Sequence, residues 1–93
     1  MITNFCIGNI LVTQQKKHLW IGIHPDAQRQ YPDIGHHQLD LYDVPTDVGG
    51  DSDGFHISGG MIMDSFGTNF DEKMLIELLY QDLYGDAFDD DFD

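Results

Sequence analysis

Apolar and polar positions divide the chain into a β-forming front, a glycine-rich middle and a helical end. The segment from Ile2 to Thr13 is rich in Ile, Val, Phe and Thr. Gln14-Gln15-Lys16-Lys17 interrupts it, and His18 to Ile23 resumes the pattern with Trp20 inside it. Two β-prone runs split by a short polar break predict a β-hairpin. Within the first run, Phe5, Ile7 and Leu11 fall on one face of a strand, while Asn9 interrupts that face and Ile10 and Val12 fall on the other. This mismatch predicts a bulge or bend at Gly8. His24-Pro25-Asp26 ends the second run, because the residue before proline is held extended and proline donates nothing to a ladder. A loop or short helical turn is expected from there to Pro32. From Gln38 to Val44, Leu39, Leu41 and Asp43 alternate with Asp40, Tyr42 and Val44, which predicts a third strand near a sheet edge. Pro45 to Gly54 holds Pro, three Gly and three Asp, the composition of a flexible acidic loop. Phe55 to Met63 reads as a fourth strand interrupted by Gly59-Gly60.

The clearest periodicity comes last. Ile76, Leu79, Tyr80 and Leu83 recur at the spacing that places side chains on one helical stripe. Asn69 is a capping residue type, Glu72 stands at the distance from which a side chain reaches back to the cap amide, and Asp71 and Glu72 suit the positive end of a helix dipole. A helix over about Phe70 to Tyr84 is predicted, stopped by Gly85 in left-handed geometry. Beyond it, residues 86–93 carry five acids with Ala87, Phe88 and Phe92, a segment expected to be mobile. The predicted fold is α+β: a small antiparallel sheet, made of the N-terminal hairpin and one or two further strands, with a C-terminal amphipathic helix. One domain is expected over 1–85, followed by a flexible acidic tail over 86–93.

Size and composition limit this picture without changing it. A chain of 93 residues supports one modest core, burying about 60–65% of its unfolded surface. With 41% hydrophobic residues it is too apolar for a disordered acidic tail. Cys6 has no second cysteine to pair with, and no basic and apolar leader opens the sequence, so a cytoplasmic setting is expected. The apolar runs, such as Ile10 to Val12 and Met74 to Ile76, fall far short of the ~20 residues that span a bilayer.

Charge adds the most information about function. Fifteen of the 17 acidic residues lie from Asp40 onward, where Lys73 alone opposes them. Before that point Asp26 and Asp33 face Lys16, Lys17 and Arg29. A field this one-sided attracts basic partners and repels nucleic acid and anionic lipid. The net charge of −13 exceeds the ~2 to 8 that solubility requires of a small domain, although a solvated acidic face is the simpler alternative. Duplex DNA carries one negative charge per ~1.7 Å of axis, so a protein arraying carboxylates at comparable spacing can occupy a DNA-binding groove. The candidate partner-binding residues are Asp40, Asp43, Asp47, Asp51, Asp53 and Asp64, the helix acids Asp71, Glu72, Glu77 and Asp82, and Asp86, Asp89, Asp90 and Asp91 in the tail.

In size, and in its acidity over residues 40–93, the chain resembles the DNA-mimic inhibitors that bacteriophages direct against restriction enzymes, CRISPR effectors, uracil-DNA glycosylase, gyrase or nucleoid proteins. Those inhibitors share no common fold, so the resemblance assigns no role to an individual residue. It implies stoichiometric, non-enzymatic binding to a basic host nucleic-acid-binding protein or nuclease, within the cytoplasm of the host. An immunity protein or antitoxin covering a nuclease would need the same physics. A third reading is an adaptor that binds through its tail and forms a homodimer through the N-terminal hairpin. Separately, Phe88-Asp89-Asp90-Asp91-Phe92-Asp93 resembles the acidic tip of bacterial single-stranded DNA-binding proteins, with Asp93 where that tip has Phe. Four basic residues cannot line a groove for single strands, so direct nucleic-acid binding is not expected.

Other chemistry has little support. His24, His36, His37 and His56 stand among Asp26, Asp40, Asp51 and Asp53, but adjacent His36 and His37 diverge on a strand and Cys6 has no partner, so no zinc site is predicted. Asp51-Ser52-Asp53-Gly54, aligned with Gly54 at the turn of a calcium loop, puts Gly60 where a bidentate Glu is required. No cofactor is expected. No nucleophile elbow, phosphate-binding glycine loop or Cys-His motif is present, so the chain is not expected to be an enzyme. Trp20, Tyr31, Phe55, Phe66 and Tyr80 read as core, leaving Phe88 and Phe92 as the exposed aromatics.

Overall fold

The first apolar run folds back on itself at Gly8-Asn9. A computed structural model describes residues 2–44 and 54–90, with side chains described through Gly85. Strands β1 (Ile2–Ile7), β2 (Ile10–Gln15) and β3 (His18–Ile23) form an antiparallel meander, where the sequence predicts one hairpin with a bulge or bend in its first strand. Gly8 takes the left-handed conformation, φ 58°, that a two-residue hairpin connection demands. The reversal re-sorts the faces. Phe5 pairs with Val12 and Ile7 with Ile10, so these four share the core side, while Leu11 lies opposite Cys6 on the other side. The reading that separated Phe5 and Ile7 from Ile10 and Val12 is therefore corrected: a turn, not a bulge, changes the phase.

A 3-10 helix over Pro25–Gln30 fills the expected helical turn after β3, with the His24 ring accepting from the Asp26 N–H. Strand β4 (Gln38–Asp40) then pairs with β3 and forms an edge of the sheet, whose order is β1-β2-β3-β4. It is shorter than predicted. The Asp40 carboxylate accepts the Tyr42 N–H at 3.0 Å and turns the chain into a second 3-10 segment, Leu41–Asp43. That turn buries both Leu41 and Val44, which strict alternation would have separated.

The predicted fourth strand is a hairpin of β5 (His56–Ser58) and β6 (Met61–Met63) around Gly59-Gly60. Both glycines have positive φ, 60° and 77°, the geometry that lets a two-residue loop follow the twist of its strands. β7 (Asn69–Phe70) joins β6 to complete a second, three-stranded sheet. Phe55 and Phe70 meet edge to face across it at 5.2 Å.

Helix α1 (Glu72–Asp90) packs on β2, β3, β4 and β7. Its cap is Asp71, whose Oδ1 accepts the Met74 N–H at 3.0 Å, and not Asn69, which is held in β7 opposite Met63. Gly85 lies within the helix without positive φ and is not the predicted stop. The mobile tail expected over 86–93 involves side chains outside the described residues, and the flexible acidic loop expected over Pro45 to Gly54 lies outside them except for Gly54. Leu75, Leu78 and Leu79 are buried along α1, with Ile76, Tyr80 and Leu83 half-buried beside them, so the stripe is rotated from the one predicted. One hydrophobic cluster takes in Ile10, Val12 and Ile21 of the first sheet, Ile62 and Phe70 of the second, and Leu75 and Leu79 of the helix. Each such side chain contributes roughly 1.5–3 kcal/mol by leaving water. Among the described residues no helix is long and apolar enough to cross a membrane.

Candidate partner-binding surface

The predicted acidic residues divide according to what their carboxylates already hold. Asp64 is 5% exposed, and its Oδ1 accepts the N–H groups of Phe66 and Thr68, both at 2.9 Å. This carboxylate closes the turn between β6 and β7 and is buried by it, so Asp64 presents almost none of its charge at the surface. The same turn pushes Phe66 outward to 70% exposure, so Phe66 is not the core residue it was read to be.

Asp40 is similarly engaged. Its side chain is 14% exposed, its Oδ2 shares a 2.5 Å hydrogen bond with His18 Nδ1, and its Oδ1 accepts from Tyr42 N–H and, at 3.4 Å, from Leu19 N–H. The His18 ring stacks on Trp20 and leans on Tyr42 at centroid distances of 5.3 and 4.8 Å. Trp20 lies directly between Thr13 and Asp40 across the sheet, on the side away from the core. Trp20 is thus a half-buried member of a surface aromatic array and not a core residue.

On the helix, Asp71 serves as cap and Glu72 reaches back to the first sheet, where its Oε2 accepts the Asn9 N–H at 3.0 Å. Glu72 was expected to bond its own helix cap. Asp82 meets His37 Nε2 at 2.6 Å and ties α1 to the segment before β4, with 42% of its side chain still exposed. Asp43 and Glu77 are exposed, and no hydrogen bond to either is found among the described residues. Asp47, Asp51, Asp53 and Asp91 lie outside the described residues, as do the side chains of Asp86, Asp89 and Asp90.

Among the described residues, no Lys or Arg comes within 4.0 Å of a carboxylate, and the ion pairs found are the histidine–aspartate contacts of His18, His24 and His37. Permanent cations therefore do not neutralise the described carboxylates in pairs. Nor does any group of three or more potential metal ligands occur among those residues.

Sequence reasoning missed one feature beside these acids, an open groove of about 300 Å³ between Tyr31 and α1. Glu72, Ile76 and Tyr80 recur every four residues along its helical wall, and Lys73 and Glu77 form the adjacent row. Tyr31, Ile76 and Tyr80 each put one side on the core and the other in the groove. Periodicity located Ile76 and Tyr80 but read them as core, and nothing local in the sequence places Tyr31 opposite them.

No family model matches the chain, and neither the curated proteins nor the solved structures contain a significant match.

Proposed function

We propose that this protein is a non-enzymatic acidic inhibitor that binds the basic nucleic-acid-binding surface of another protein and excludes its substrate. The observation that carries this reading is uncompensated charge: 15 acids from Asp40 onward against Lys73, with no Lys or Arg ion pair among the described residues. Carboxylates without internal cations retain their attraction for external ones, and the binding energy comes from charge-assisted contacts to Arg and Lys. The surface offered is narrower than composition suggests. Asp43, Glu77 and the open side of Asp82 present charge outward, whereas Asp40, Asp64 and Asp71 are committed to holding the fold and Glu72 gives it one oxygen while lining the groove beside α1. The setting that fits this activity is the host cytoplasm.

The test is affinity capture on the tagged chain from nuclease-treated bacterial lysate, with elution by duplex DNA or by salt. A nucleic-acid-binding protein retained without DNA and released by added duplex supports the proposal. A partner that the duplex fails to displace refutes substrate exclusion.

A further inference from the structure

We infer that the groove between Tyr31 and α1 receives an arginine side chain of the partner, an inference that rests on the proposed binding of basic surfaces. Its walls combine three properties that this side chain requires. The rings of Tyr31 and Tyr80 are only half-buried, and a guanidinium within about 6 Å of a ring face is attracted by the ring quadrupole. Ile76, between Glu72 and Tyr80 along the helix, offers apolar surface to the methylene stem. Carboxylates stand on the same wall: Glu72 is oriented by its bond to the Asn9 N–H and keeps lone pairs free, and Glu77 is exposed.

Lysine fits less well. Its compact ammonium is strongly hydrated and cannot lie flat on a ring, whereas the planar guanidinium stacks and presents a fork of donors to carboxylates. Tyr80 and Tyr84 stack nearly parallel, 9° apart, and continue the aromatic surface along α1. Lys73 occupies the outer row beside Glu77, where it opposes any incoming cation. This gives the inference a signature: removing the Lys73 charge strengthens binding, and removing the Glu77 charge weakens it.

The experiment is amide NMR of the intact labelled chain titrated with N-acetyl-arginine amide, with the lysine and citrulline analogues as controls. Arginine is expected to give saturating shifts confined to the amides of Tyr31, Ile76, Tyr80 and their neighbours, with a dissociation constant about two- to fivefold below that of lysine. Citrulline, which lacks the charge, is expected to give none. Glu77→Gln should weaken and Lys73→Gln should tighten the arginine response, each by about two- to fivefold. Both lie on the exposed side of the helix and leave the core intact. Shifts spread over exposed acids such as Asp26, Asp33 and Asp43, an equal response to lysine or citrulline, or no response overturns the inference. The probe needs no macromolecular partner. Its failure therefore removes the groove while leaving the inhibitor reading to its own capture test, and shifts confined to the groove support it even if no DNA-binding protein is captured.

Discussion

Glu72 and Asn9 lie 63 residues apart, and a 3.0 Å hydrogen bond from the Asn9 N–H to Glu72 Oε2 fastens the start of α1 to the first hairpin turn. Gly8 makes the approach possible, since a Cβ there would stand 2.5 Å from Glu72 Oε1. The turn favours glycine for its positive φ, and a Cβ there would also push the Glu72 carboxylate out of its place against Asn9. Glu72→Ala is expected to cost about 1–2 kcal/mol by leaving the Asn9 N–H without its partner. Gly8→Ala should cost about 1–2 kcal/mol from backbone strain, and more from the displaced carboxylate. Urea unfolding of both single variants and the double should show less than additive loss, because either change disrupts the same contact. Strict additivity would mean that Gly8 and Glu72 are not coupled through this contact.

Asp64 acts as a structural acid inside an acidic surface. Asp64→Ala deprives two backbone donors of their acceptor and should lower stability by about 2–3 kcal/mol. Asp64→Asn retains a side-chain acceptor and should cost less. Partner affinity of the folded Asn variant should be unchanged. A large loss of affinity without loss of stability would return Asp64 to the binding surface.

The helix start gives a sharper comparison. Asp71→Ala should cost about 1 kcal/mol, the usual worth of a cap. Asn69→Ala, at an exposed position in β7, should change the unfolding midpoint little. The reverse order of costs would restore Asn69 as the cap.

Both residues are good caps by type, and only the pairing of Asn69 with Met63 decides between them. That pairing is a tertiary fact, which explains why the predicted helix began two residues early. The rest of the fold follows the same division. Runs with a local period, such as His18–Ile23 and the apolar positions of α1, were legible as strand and helix. The α+β class, the edge strand and the interruption at Gly59-Gly60 were legible on the same grounds. The turn at Gly8-Asn9 reads from sequence as a bulge or bend because Ile10 to Val12 look like a continuation of one strand, although glycine followed by asparagine is itself a hairpin signal. Of the candidate surface, the sum of charge was visible but its partition was not. Asp64 and Glu77 are both acids in an apolar context, and their difference lies in whether backbone donors converge on them. Tyr31 enters the groove through the packing of distant segments, which periodicity does not encode.

The outward acids should govern affinity without affecting folding. Asp43→Asn and Glu77→Gln together should leave thermal stability within about 0.5 kcal/mol, as exposed substitutions do. They should weaken partner binding and flatten its dependence on salt. Calorimetric titration at two ionic strengths checks both. Unchanged affinity would move the binding surface away from these residues.

Displacement of nucleic acid from a basic surface is measured by titrating this chain into a preformed complex of the captured partner with fluorescent duplex DNA and following anisotropy. Full release of the duplex at one chain per site is expected, with an apparent affinity that falls steeply as salt rises. A stable ternary complex, with the duplex still bound when the chain is in excess, would contradict it.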